Sequence, residues 1–325
     1  MNDKPRVSVV IAAYEAGSVV GTALQSVLDQ TMEDFEVLVI DDGSTKDPVP
    51  SDLSSDPRVR LEWKPENGGH PSVTNWGLDR ARGEWMTWVD ADDQIAPRFL
   101  EVMLDAGEAA GADIVVAPTA YVRDGHQVGV SPWDPPEGPI SGAEALRRAI
   151  HGEFPLSQHI LYRRPVTRAD EGLVYADYLF AREELSRAGT VAFTDEPCYR
   201  YVIHSDSVTG SLRESIFDLP ALVDMVQPVL VRTFGEPEAS ELRTVHERHV
   251  VTHLLHAAAR EKTDSPLRRR VRAWCRSRMS VAGVRALLAE GHRSEAASWS
   301  LALVSMPLHQ AAYGAYDRVK DLRRR

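Results

Sequence analysis

The sequence predicts an α/β chain: a mostly parallel sheet flanked by helices, followed by a helical C-terminal extension. Three observations carry this. Strand and helix signals alternate with short connections across the first 120 residues. The first two strand signals, Val7 to Ala12 and Phe35 to Ile40, are apolar apart from Ser8 and Glu36, as strands covered on both faces require. After Ser211 the pattern is almost wholly helical, interrupted at Pro228, Pro237, Pro266 and Pro307.

The elements follow in order. Val7 to Ala12 is the first strand. Ser18 is placed to cap a helix carrying Val20, Ala23, Leu24, Val27 and Leu28 at helical spacing. Phe35 to Ile40 ends in the turn sequence Asp41-Asp42-Gly43-Ser44. Val59 to Trp63 is a third strand, and Pro71 starts a helix to Ala81. Trp85 to Val89 is a fourth strand, ending in Asp90-Ala91-Asp92-Asp93. A helix after Pro97 and a strand from Asp113 to Pro118 close the series. Arg123 to Gly142, rich in Gly and Pro, reads as a long loop of the kind that forms a binding lid. The expected divisions are 1–120, 121–210 and 211–325.

Composition narrows the function. The 325 residues are 43% hydrophobic and 26% charged, ordinary values that exclude a disordered or fibrous chain. Two cysteines make neither a disulfide framework nor a four-thiolate zinc site. The N-terminus reads as a strand and not as a signal peptide, so the expected compartment is the cytoplasm. Net charge is −11, yet Ser265 to Arg325 holds 13 Lys+Arg against 4 Asp+Glu, leaving 24 against 44 elsewhere. An acidic body does not suit nucleic acid. The basic tail, uncharged from Ala296 to Tyr316, suits helix packing, a second copy of the chain, or peripheral contact with the inner face of a membrane.

Both acidic clusters follow strands, and open α/β sheets bind ligands outside the carboxyl ends of their strands. Carboxylates gathered there repel one another unless a cation is present, and hard oxygen donors favour Mn²⁺ or Mg²⁺. The sequence contains no GxGxxG after the first strand and no GxxxxGK[ST], which disfavours a dinucleotide oxidoreductase or a P-loop ATPase. Four histidines, His246, His249, His253 and His256, share a narrow arc of one predicted helix; they read as a polar shoulder beside its apolar face more readily than as a metal site.

Eight motifs in order carry a resemblance: Val7 to Tyr14, Ser26 to Thr31, Asp34-Phe35-Glu36, Asp41-Asp42-Gly43-Ser44, Asn67-Gly68-Gly69, Asn75-Trp76-Gly77-Leu78, Gly83-Glu84 and Asp90-Ala91-Asp92-Asp93. The chain resembles the inverting family 2 glycosyltransferases, whose fold is GT-A. The resemblance is close over residues 5 to about 118 and looser to Ser207. It implies a nucleotide-sugar donor, UDP-linked by expectation, and a saccharide, lipid-linked or polymer acceptor. Ala13, Tyr14, Glu15, Asp42, Asn67, Gly68 and Asn75 would line the donor pocket, with Asp42 accepting from the base. Asp90 and Asp92, flanking Ala91, resemble the DxD pair that holds the diphosphate through a metal. Asp92 and His204 would be metal ligands and Asp177 the catalytic base, with Asp170 and Glu171 as alternatives. Glu15, Thr74 and Ala176 depart from the family pattern, which has Asn, Arg and Glu at those positions. The missing Arg leaves His70, Ser72 or Arg80 to meet the diphosphate. A sugar nucleotidyltransferase and a non-catalytic scaffold on the same fold are the alternative functions.

Overall fold

The computed structural model describes residues 4–154, 156, 160–196, 198–203, 212–261 and 263–323, with side chains to 316. It divides into two compact units, one comprising residues through 203 together with 232–234, the other the remainder.

The first unit is built on a seven-stranded sheet. Its strands are β1 (Val7–Ala13), β2 (Phe35–Asp41), β3 (Val59–Trp63), β4 (Trp85–Asp90), β6 (Ile114–Val116), β9 (Leu161–Arg163) and β10 (Val191–Phe193). They are ordered β10-β6-β9-β4-β1-β2-β3, and every pairing is parallel except those of β9. All seven residues of β2 are buried, Glu36 and Asp41 included, as a strand covered on both faces requires. Helices α1 (Val20–Leu28), α2 (Gly69–Arg80), α3 (Phe99–Ala110), α4 (Gly142–His151) and α5 (Ala176–Arg187) belong to this unit. Val20, Leu24 and Val27 of α1 and Phe99, Leu100, Met103 and Leu104 of α3 join Val9, Ile11, Val37 and Val39 in one core. Residues 1–120 and 121–210 share this sheet, since β9 and β10 lie in it.

A second sheet, ordered β5-β11-β7-β8, contains β5 (Gln94–Ile95), β7 (Thr119–Arg123), β8 (His126–Val130) and β11 (Tyr199–Val202). The expected loop from Arg123 is therefore partly strand. Asp124 and Gly125, at φ 50° and 77°, make the tight turn that pairs β7 with β8. Trp133 then packs against Phe154 and Phe193 and donates from Nε1 to Asp195 Oδ1 at 2.7 Å. A segment held this way is not a free lid.

Two helix starts differ from expectation. Asp47 captures both the amide and the hydroxyl of Ser18 at 3.0 and 2.7 Å, so Ser18 caps nothing and α1 begins at Val20. Helix α2 begins at Gly69, two residues before Pro71, and Gly69 itself takes a φ of +77° that side chains resist.

The second unit is helical: α6 (Asp218–Phe234, whose last residues lie with the first unit), α7 (Glu238–Arg260), α8 (Pro266–Arg278), α9 (Val281–Ala289), α10 (Arg293–Val304) and α11 (Met306–Arg323). The uncharged stretch becomes α10 and most of α11. Helix packing accounts for Ala296, Ser298, Trp299, Ala302 and His309, which are buried, while Val304, Leu308 and Tyr316 stay exposed. Among the described residues no helix is long and apolar enough to cross a membrane. Of the α7 histidines, His246 is buried and His256 meets α10 and α11. Ser298 Oγ lies 2.9 Å from His256 Nε2 and 2.7 Å from His309 Nε2, and Tyr313 stacks on His256 at 4.4 Å.

Candidate active site

Register puts both acidic clusters on one edge. Ala13 pairs with Asp41 across β1 and β2, and Ala12 with Asp90 across β1 and β4, so three adjacent parallel strands release Ala13, Asp41-Asp42 and Asp90 at the same end. The turn after β4 then gathers Asp90, Asp92 and Asp93, each with a carboxylate oxygen within 4.8 Å of the others. Among the described residues this is the group of side chains with metal-ligand chemistry.

The three carboxylates are not equivalent. Asp93 is buried and committed: Tyr199 donates its hydroxyl to Oδ2 at 2.8 Å and the Val202 amide donates to Oδ1 at 2.7 Å. Tyr199 also accepts the Asp90 amide at 3.3 Å, so β11 braces the turn from below. Asp92 is exposed. Asp90 faces His70, with Nε2 3.8 Å from Oδ1. Desolvation and the Asp92 and Asp177 carboxylates push Asp90 up to about 7, although 31% of its side chain meets solvent. Desolvation and Asp90 raise Asp93 to about 7 as well. Oxygen-only donors that repel one another this strongly fit a divalent cation such as Mn²⁺ or Mg²⁺.

This predicts an inverted pH dependence. An unfolded Asp titrates near 3.9. Below about pH 4 both states hold these protons. From about pH 4 to 7 the unfolded chain releases them while the folded one binds them more tightly, so stability falls as pH rises through that window. Melting temperature in chelator should drop across it, and Mn²⁺ should restore the loss at pH 7. A flat profile in chelator would show that the carboxylates do not strain the fold.

Several residues expected to line the donor pocket are occupied with holding the loops around it. Asp42 is 2% exposed; it pairs with Lys64 and accepts the Gly68 and Gly69 amides, the latter at 2.7 Å. It ties down the 67–69 loop next to the acidic edge. Asn67 closes the same loop by accepting from Gly69 at 2.9 Å. Glu15, at φ 48°, accepts the amides of Thr45, Lys46 and Asp47, which hold its carboxyl below the usual range. It bridges the loop after β1 to residues 45–47. Ala13 and Ala91 are buried, whereas Tyr14 is 52% exposed and open to a ligand.

Asn75 also has a different job. Its Oδ1 accepts the Ala169 amide at 2.8 Å while Nδ2 donates to the Ala169 carbonyl at 2.9 Å and to Glu171 Oε1 at 2.8 Å. It clamps the 169–171 segment to α2, leaving Glu171 engaged; Asp170 accepts the Gly172 amide within its own turn. Asn75→Ala would leave two buried backbone groups unpaired and should cost about 2–4 kcal/mol in denaturant unfolding, at 1–3 per group with partial relief by solvent. A loss under 0.5 kcal/mol would mean the clamp carries no load.

Of the three stand-ins for the missing Arg, only His70 reaches the carboxylates. Arg80 pairs with Glu62 and lies 3.7 Å over the Trp76 ring, and Ser72 accepts from Lys64 at 2.8 Å. Asp177 sits in the first turn of α5, half-buried, in the wall of a pocket shared with His70, Thr74 and Trp88. His204 lies outside the described residues. Lys64 and Tyr199 escaped sequence reading. Neither Lys64, just beyond the third predicted strand, nor Tyr199 gives a sign in the sequence of the aspartate it will meet.

A parallel sheet that delivers acidic turns from adjacent strands to one edge, with a short second sheet and a helical extension, is the architecture of GT-A glycosyltransferases. Known proteins agree. The family described as Glycosyl transferase family 2 matches residues 8–167. Succinoglycan biosynthesis protein ExoO of Rhizobium meliloti is 31% identical over 244 residues, 68% of this chain and 67% of that protein. Uncharacterized glycosyltransferase YibD of Escherichia coli is 27% identical over 230 residues, 66% of each. The match spans about two thirds of these relatives' length. The crystal structure of S. aureus TarS 1-349 in complex with UDP-GlcNAc superposes with a TM-score of 0.67 at 16% identity, covering 96% of this chain and 92% of that one. Mannosyltransferase PcManGT from Pyrobaculum calidifontis, in complex with GDP-Man and Mn²⁺, gives 0.50 at 14% identity over 97% and 88%. The chain belongs to glycosyl transferase family 2.

Proposed function

We propose that the protein is a metal-dependent inverting glycosyltransferase that moves a sugar from a UDP-linked donor to an acceptor hydroxyl. The observation that carries this reading is the convergence of Asp90, Asp92 and Asp93 at the strand ends, with Asp177 close enough to raise the proton affinity of Asp90. Asp92 and Asp90 would hold the cation, whose positive charge neutralises the departing diphosphate. Asp93, fixed by Tyr199 and Val202, keeps the turn in shape.

Asp177 takes the proton of the attacking hydroxyl. It lies in the first turn of α5. Tyr14, exposed at the end of β1, offers a ring to the base. The Asp42–Lys64 pair and the Glu15 bridge hold both loops of the donor pocket in advance. Residues 119–210 shape the acceptor side. A saccharide, lipid-linked or polymer acceptor in cell-surface polysaccharide or glycoconjugate synthesis fits, and the named role of ExoO in succinoglycan biosynthesis supports it. Calorimetric titration of UDP with Mn²⁺ and with chelator tests the donor reading; equal heats in both would remove the metal from it.

A further inference from the structure

A cavity of about 360 Å³ opens at the opposite end of the sheet, where β1 and β4 begin. Small-molecule sites run from about 300 to 1,000 Å³, so a ligand fits. β1 is seven residues long, which at about 3.3 Å per residue puts the cavity roughly 20 Å from the acidic edge. Leu78 of α2 and Met86 of β4 give it an apolar lining. Lys4, Arg6, Arg82 and Arg164 line it as well, against one carboxylate, Glu84.

Most of this charge is matched. Arg6 pairs with Glu108, Arg82 with the buried Glu36, and Glu84 with Arg163. Two cations are left over: among the described residues neither the Lys4 ammonium nor the Arg164 guanidinium has a carboxylate or hydrogen-bond partner. Asp113, which shares a neighbouring cleft with Arg164, accepts the Gly189 amide at 2.8 Å. Arg164 is also held in the left-handed region at φ 51°, its amide donating to the Glu84 carbonyl at 3.0 Å. A residue with a Cβ resists that conformation, and strain of this kind gathers at ligand sites.

We propose that this cavity is a second ligand site, which takes a phosphate ester carried on an apolar body, the phosphate meeting Lys4 and Arg164 and the apolar part lying against Leu78 and Met86. Two unmatched cations suit the charge of a phosphate monoester, about −1.5 to −2 at pH 7, and the arginine fork suits its oxygens. The proposal is independent of the donor reading, because the acidic edge lies at the other end of the strands.

The test is calorimetry on the full chain in chelator, where the metal-free acidic edge repels anions. Hexyl phosphate should bind at least about tenfold more tightly than inorganic phosphate, as burial of two methylene groups gives, and 1-hexanol should give no heat. Arg164→Gly removes the guanidinium and relaxes the backbone, so it should fold normally and weaken hexyl phosphate at least about tenfold, the loss of one charged hydrogen-bonding partner. Lys4→Gln, at an exposed position ahead of β1, should weaken it too. Sedimentation with phosphatidylcholine vesicles carrying phosphatidic acid separates the two sources of such a group. Pelleting that Arg164→Gly abolishes identifies a lipid headgroup; hexyl phosphate binding without pelleting identifies a soluble phosphate ester. If hexyl phosphate binds no better than inorganic phosphate, or if both variants leave its affinity within about twofold of wild type, the proposal is overturned.

Discussion

Asp92→Ala should abolish Mn²⁺-dependent binding of UDP and leave the fold intact. Asp92 is exposed, so its side chain carries no packing, whereas Asp93 is buried and braced by β11. Removing even an outer partner of a metal ligand costs 10- to 100-fold in affinity, so losing the ligand itself should cost at least about 100-fold. The same substitution removes a negative charge that raises the proton affinity of Asp90. In chelator at pH 7 the variant should therefore melt no lower than the parent protein. Calorimetry reads the first effect and thermal unfolding the second. Unchanged UDP affinity with Mn²⁺ would take Asp92 out of the metal site.

Asp177→Asn should preserve donor affinity and lower turnover by about two to four orders of magnitude, the usual contribution of a general base. Asparagine keeps the size and the place in the first turn of α5 but accepts no proton. Released UDP is the readout, with an acceptor hydroxyl or with water as the nucleophile. Turnover within a few-fold of wild type would move the role elsewhere. Glu171, held by Asn75, and Asp170, spent on its own turn, are poorly placed to inherit it.

Periodicity and short motifs made much of the protein legible. The largely apolar runs Val7 to Ala12, Phe35 to Ile40 and Trp85 to Val89, alternating with helical signals, argued for a mostly parallel sheet covered on both faces. Once those strands are parallel and in register, the acidic turns after β2 and β4 must share an edge. The grouping of Asp90, Asp92 and Asp93 was in that sense written in the chain.

What each polar side chain does on that edge was decided by contacts between distant residues. Asp42, Glu15 and Asn75 read as ligand-facing from their motifs, and the structure adds what the motifs do not show: Lys64, the 45–47 amides and Ala169 engage them. A carboxylate or amide placed beside backbone N–H groups satisfies them because leaving buried donors unmade is costly. The hairpin at Asp124-Gly125 was within reach of local reading, since Asp-Gly is a strong turn signal, but the surrounding Gly and Pro masked it. Trp88 shows the limit most clearly. Its place in a largely apolar strand predicts burial, and only the tertiary packing sets it beside Asp177, with its N–H unpaired among the described residues. Sequence sets which faces are covered; the long-range fold sets which polar atoms remain to do chemistry.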